Sequence, residues 1–101
     1  MNFINPTLLD NLRDSYRQTA SPADVLKEIV RSWPTEPCHK LVLIAHMRAA
    51  FELTLQQAGP IAGWAVDGTG ELKDAQIDSF LKPEIEHNRD LWDRRTVEAN
   101  S

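Results

Sequence analysis

Apolar residues in the first third of the chain recur at spacings of three and four, which is the period of an amphipathic helix. Asn5-Pro6 provides a cap residue followed by proline at the first helical position, so the first helix is predicted from there to about Gln18. Ser21-Pro22 repeats this start signal, and the second helix is predicted to end at Pro34. The predicted inward residues are Leu8, Leu9, Leu12 and Tyr16 in the first helix, and Val25, Leu26, Ile29, Val30 and Trp33 in the second.

The middle of the chain carries apolar residues on two sides of one helical pattern that begins near Pro37. Because such a helix usually has neighbours on both sides, this one is predicted to be the centre of the fold. The segment 54–57 also matches a capping box, so a break at Leu53 and an uninterrupted helix are both open. Gly59-Pro60 is expected to stop or kink the chain. One stripe consists of Leu43, Ile44, Met47, Phe51 and Leu55, and the other of Val42, Ala49 and Leu53.

The last third predicts a helix from about Asp74, with Ile77, Phe80 and Leu81 turned inward. Pro83 interrupts the pattern. Either it opens a fifth helix carrying Ile85, Leu91 and Trp92, or it kinks one long helix. The tail 96–101 has no apolar anchor except Val97 and is expected to fray. The sequence therefore predicts an all-α fold over 1–101, a single compact domain of four to five helices around a central apolar helix at 39–58.

Composition narrows the range of functions. The formal charge is −4, and the eleven Lys and Arg are spread along the chain, which argues against nucleic acid as a partner and mildly favours a basic protein. Cys38 is the only cysteine, so no intrachain disulfide is possible. There is no signal-peptide pattern, and the longest apolar run, 41–45, is too short to cross a membrane, so a cytoplasmic protein is expected.

The segment 64–72 is the one glycine-rich loop, and calcium is the first ligand to consider for it. If Gly70 is the turn glycine of a twelve-residue EF-hand loop, Asp67 and Thr69 take ligand positions three and five, and Glu71 provides the backbone ligand. Positions one and twelve then fall on Ala65 and Gln76, so the first carboxylate and the closing glutamate are missing.

Three interpretations of this loop remain open. It could be a degenerate ion site, an anion nest formed by the backbone N–H groups of Gly68 and Gly70, or a structured turn clamped to the core by Trp64 and Leu72. A short pairing of Val66 with Leu72 would fit the third interpretation.

Other chemistry is poorly supported. Glu36 and Glu84 each precede a histidine by three residues, as in diiron bundles, but no supporting acid lies within an apolar stripe. His46 is expected to be a partly buried, hydrogen-bonded structural residue. Cys38 beside His39 is a poor nucleophile–base pair, because adjacent helical side chains point about 100° apart. No catalytic residue, metal or cofactor is predicted.

These observations favour a non-catalytic interaction protein that binds and modulates or neutralises one protein partner, as inhibitors, immunity proteins and adaptors do. Two expectations are open for the tryptophans. Either all three seal the ends of the core, namely Trp33, Trp64 and Trp92, or Trp64 stays exposed as the anchor of the contact that the loop makes, because tryptophan is enriched in interface hot spots. The alternative is a small-ligand or ion-binding module that uses the loop 67–70, and an enzyme is the third possibility. The oligomeric state is left open. The predicted partner-binding residues are Trp64, Asp67, Thr69 and Glu71.

Overall fold

The computed structural model describes residues 4–33 and 40–93. These residues form one globule of six α-helices and a 3₁₀ helix without a strand, so the predicted all-α class is confirmed. The predicted count of four to five helices falls short because two of the helices have only four residues. In order, the elements are α1 (Pro6–Thr19), α2 (Pro22–Ser32), α3 (Lys40–Phe51), α4 (Leu55–Ala58), the 3₁₀ helix (Gly59–Gly63), α5 (Asp74–His87) and α6 (Arg89–Trp92).

Side-chain caps begin α1 and α2, as the sequence predicts. The Asn5 side chain accepts hydrogen bonds from the backbone N–H groups of Thr7, at 3.0 Å, and Leu8, at 3.2 Å. The Ser21 hydroxyl accepts from the N–H of Asp24 at 3.3 Å. Each cap satisfies donors that have no partner inside the helix, so the boundaries at Pro6 and Pro22 follow from local chemistry.

The helix α3 lies at the centre of the fold and contacts α1, α2, α4, α6 and the 3₁₀ helix. Both of its predicted apolar stripes contribute to the core, which explains why its neighbours lie on two sides. The buried side chains of this segment are Val42, Leu43, His46, Met47, Ala50, Phe51 and Leu53.

The sequence left open whether the central helix breaks at Leu53 or continues, and the structure has the break, with a capping box at Thr54. The Thr54 hydroxyl accepts from the N–H of Gln57 at 3.0 Å, and the Gln57 side chain accepts from the N–H of Thr54 at 2.9 Å. Just before it, Glu52 has a φ of 55°, in the left-handed region that ends helices. The chain therefore turns between α3 and α4.

The helix α5 continues through Pro83, so the long-helix alternative is the one that the structure adopts. Its core side is formed by Ile77, Leu81 and Ile85.

Three side chains predicted to point inward are exposed instead: Phe80 is 53% exposed, Leu91 is 50% and Leu55 is 64%. Phe80 lies about 100° around α5 from Leu81, and the helices beside α5 cover Leu81 but leave Phe80 outside. Helical spacing places these residues near an apolar face, but the neighbouring helices set where that face ends.

Some predictions fall outside the described residues. These are the helix end at Pro34, the helix start near Pro37, the chemistry of Glu36, Cys38 and His39, and the tail 96–101. Within the described ranges, no helix is long and apolar enough to cross a membrane.

Candidate functional site

The loop 64–72 begins and ends at one point on the core. Trp64 and Leu72 form an isolated parallel β-bridge, and the N–H of Leu72 donates to the carbonyl of Gly63 at 2.8 Å. The suggested pairing of Val66 with Leu72 is therefore wrong, because Trp64 takes that place and leaves Val66 in the body of the loop. Inside it, the N–H of Gly68 donates to the carbonyl of Ala65 at 3.1 Å.

Two glycines make this path possible. A Cβ atom at Gly70 would lie 2.6 Å from the carbonyl oxygen of Gly63, 2.7 Å from the nitrogen of Ala65 and 2.9 Å from the carbonyl carbon of Trp64. All three are backbone atoms, so no side-chain rotation could relieve the overlap. Gly68 has a φ of 82°, where residues with a side chain are strained. The loop is thus packed against its own stem.

Trp64 anchors the loop from the inside, so the prediction that it is an exposed contact is wrong. Its side chain is only 1% exposed, and the indole Nε1–H donates to Asp74 Oδ1 at 2.9 Å. The other oxygen of Asp74 accepts from Lys27 Nζ at 2.5 Å. Hydrogen bonds from Lys27 and then from Trp64 hold the pKa of the Asp74 carboxyl below its usual value. The buried ring therefore links the loop, the start of α5 and α2.

Two lysines that the sequence did not single out complete the anchoring. Lys40 Nζ donates to the carbonyl of Ala62 at 2.7 Å and to that of Trp64 at 2.8 Å, so α3 holds the entry to the loop. Lys73 Nζ donates to the carbonyl of Gly68. No local pattern reveals the Lys40 contact, because its partners lie more than twenty residues further along the chain. These ammonium groups donate to backbone carbonyls at the entry to the loop and at Gly68.

The outer side of the loop carries the other three predicted contact residues, Asp67, Thr69 and Glu71, all of which are exposed. Val66 lies among them and is 52% exposed. Asp67 Oδ1 accepts from the Thr69 N–H at 3.0 Å and from the Thr69 hydroxyl at 2.6 Å. The bond from the Thr69 hydroxyl and then the bond from its N–H hold the pKa of the Asp67 carboxyl below its usual value.

Three of the side chains counted for an ion site form hydrogen bonds within the protein: Asp67, Thr69 and Gln76. Thr69 binds Asp67, and the side chain of Gln76 accepts from the N–H of Lys73 at 2.8 Å, which caps α5. Within residues 4–33 and 40–93, no group of three or more His, Cys, Asp or Glu is placed to hold a metal. The arrangement is that of a turn that satisfies its own polar groups.

The remaining candidates lie apart from the loop. His46 is fully buried rather than partly buried, and its Nδ1 lies 2.9 Å from the carbonyl oxygen of Val42, as expected of a structural histidine. Glu84 accepts from the Gln57 side chain at 3.0 Å, which joins α5 to α4, while His87 is exposed. Of the three tryptophans, Trp92 is also a core residue, at 3% exposed, and its Nε1–H donates to the carbonyl of Ile85.

Comparison of the chain with protein-family models, with curated proteins and with solved structures finds no match.

Proposed function

We propose that this chain is a small, acidic, non-catalytic interaction protein that binds one protein partner and modulates or neutralises it. The contact surface is the outer side of the loop, formed by Val66, Asp67, Thr69 and Glu71. The proposal rests on one combination of features: the loop is anchored at both ends, and it holds the apolar side chain of Val66 in solvent.

The anchoring supports binding because it lowers the entropy cost of association. The backbone of a flexible loop would have to be ordered when a partner binds, at about 1–2 kcal/mol for each residue. Here the close approach at Gly70, the bridge at Trp64 and the contacts of Lys40 and Lys73 order the backbone in advance. Loops held by a rigid scaffold carry binding residues more often than helix flanks do.

The charge of the surface suggests the chemistry of the partner. Asp67 and Glu71 are exposed carboxylates on either side of the Thr69 turn, and the whole chain has a formal charge of −4. A partner surface with an apolar depression for Val66 and basic residues at its rim would complement this loop. Opposite charges of this kind speed association and fix orientation more than they raise affinity.

The test begins with a photoreactive amino acid at position 66, and the same residue at the exposed position Gln18 as the control. A protein captured from position 66 but not from position 18 is then purified, and its affinity is measured for the variants Val66→Asp, Asp67→Lys and Asp24→Lys. Asp24 is exposed on α2, so Asp24→Lys makes the same change in charge away from the loop.

We expect Val66→Asp and Asp67→Lys each to weaken binding at least tenfold, which corresponds to about 1.4 kcal/mol. Asp24→Lys should change it much less, through long-range charge alone. Equal affinity of all three variants for the captured protein would reject the loop as the contact. Capture through both positions alike would indicate nonspecific crosslinking and would also count against the proposal.

A further inference from the structure

The outer face of α5 carries exposed side chains that the proposed function does not use. Phe80 is 53% exposed, and Lys82, Pro83, Glu86 and His87 are exposed as well. Beside them lies a shallow depression of about 550 Å³ lined by Ala75, Asp78, Ser79, Lys82, Pro83 and Glu86. Glu84 is half-buried and accepts a hydrogen bond from the Gln57 side chain at 3.0 Å, so it is not part of this exposed set.

The four side chains around Pro83 form two pairs, one on each flank. At about 100° per residue, Phe80 and His87 lie some 60° and 40° to one side of Pro83. Lys82 and Glu86 lie some 100° and 60° to the other side. One flank is therefore aromatic, and the other carries Lys82 and Glu86. Glu86 also forms an ion pair with Arg89 of its own chain at 3.0 Å, so a lysine of a partner would share this carboxylate with Arg89.

Both pairs share nearly the same midpoint along the helix. The centre between Lys82 and Glu86 is position 84, and the centre between Phe80 and His87 lies between positions 83 and 84. Consider a second, antiparallel copy of the helix that is related to the first by a two-fold axis. When this axis lies between the two helices at the height of the shared midpoint and is perpendicular to both, each flank faces the same flank of the other copy. Such an isologous contact brings each residue of a pair opposite the other member of that pair.

We propose that the outer face of α5 binds the same face of a second copy of this chain, as an antiparallel helix pair centred between Pro83 and Glu84. Lys82 of each copy then lies opposite Glu86 of the other, and Phe80 opposite His87. Ser79 lets the two helices approach closely, because its side chain is small. The four charges form an alternating square, since Lys82 and Glu86 of one copy are also neighbours at a spacing of four residues.

Complementary charge is the reason to choose a second copy as the occupant. A basic or an acidic partner would meet one like charge on this flank, whereas an inverted copy meets opposite charges at both positions. A single helix pair buries less than the about 800 Å² per partner that is typical of stable complexes, so the dimer should be weak.

Sedimentation velocity of the full chain, from about 5 µM to about 500 µM, covers the range where a weak dimer dissociates. We expect the wild-type sedimentation coefficient to rise with concentration towards that of a dimer. Phe80→Asp and Lys82→Glu, both at exposed positions, should each remain monomeric. Leu41→Asp is the matched control for the first, because Leu41 is an exposed apolar residue on α3, and it should dimerise like the wild type.

Mixing two variants tests the pairing itself. K82E and E86K copies each repel their own kind, but together they restore both opposite pairs, so the mixture should dimerise although neither variant does alone. Glu86 also accepts a hydrogen bond from the buried Tyr16, so the fold of E86K is first checked by circular dichroism. If E86K unfolds, Phe80→Asp and Lys82→Glu carry the test. A wild type that stays monomeric at every concentration, or a dimer that neither of these substitutions weakens, would overturn the proposal.

Discussion

Replacing Gly70 with alanine adds one methyl group at the place where the loop crosses its own stem. The new Cβ would lie 2.6 Å from the carbonyl oxygen of Gly63 and 2.7 Å from the nitrogen of Ala65. Backbone atoms cannot rotate away, so the two strands of the loop must separate. This movement would lengthen the hydrogen bond from the Leu72 N–H to Gly63, which is 2.8 Å long in the native structure.

The size of the effect follows from two losses and one gain. Extra methyl groups in tight packing cost about 1–3 kcal/mol, and a lost backbone hydrogen bond costs about 1 kcal/mol. The lower chain entropy of alanine in the unfolded state offsets about 0.4–1 kcal/mol of this. We therefore expect Gly70→Ala to lower the free energy of unfolding by roughly 1–3 kcal/mol, which for a chain of this size lowers Tm by roughly 5–15 °C.

Urea denaturation followed by tryptophan fluorescence measures this change, with Gly59→Ala as the matched control. Gly59 has helical angles, φ −50° and ψ −42°, and apart from its two chain neighbours no atom lies within 4 Å of a Cβ built there. Alanine at Gly59 should cost less stability than alanine at Gly70, because only the ring of Pro60 disfavours a Cβ there. If Gly70→Ala were as stable as the wild type, the close approach of the loop to its stem would be refuted.

Two further predictions concern the contacts of α5. Asp78 accepts a hydrogen bond from the N–H of Ala23 at 2.8 Å, so Asp78→Ala should lower the free energy of unfolding by about 1 kcal/mol. Asp78→Asn keeps an acceptor and should cost less. Equal losses for the two variants in urea titrations would argue against this cap. A hydrogen bond from Tyr16, at 2.6 Å, and then one from Arg89 hold the pKa of the Glu86 carboxyl below its usual value. The carboxylate therefore stabilises the fold above its unfolded pKa of about 4.3, and this stabilisation is lost as pH falls through the lower folded pKa. Glu86→Gln should therefore flatten the decline of stability in acid, and an unchanged pH profile at low protein concentration would contradict this.

Where local chemistry decides the structure, the sequence was sufficient. The caps at Asn5 and Ser21 satisfy donors within three residues, so these two helix starts could be read directly, whereas the capping box at Thr54 left an uninterrupted helix open. The two apolar stripes of α3 likewise predicted that it lies at the centre of the fold, because a helix with apolar side chains on two sides needs neighbours on both sides.

The sequence failed to predict contacts that depend on residues far away along the chain. Trp64 was predicted as an exposed contact residue, but its indole is covered and finds an acceptor in Asp74, at the start of another element. Phe80 has the spacing of a core residue but lies just beyond the edge of the face that the other helices cover. The clamp by Lys40 depends on α3 lying beside the loop, which no local pattern contains. Tertiary neighbours determine these contacts.

Amide hydrogen exchange of the loop, followed by NMR, tests the central claim that this surface is rigid before any partner binds. The N–H groups of Trp64 and Leu72 donate to Ile61 and Gly63 at 3.1 and 2.8 Å, so both should exchange as slowly as amides in the helices of the core. The exposed amide of Val66 should exchange faster. Exchange of Trp64 and Leu72 at the rate of an unstructured peptide would contradict the account.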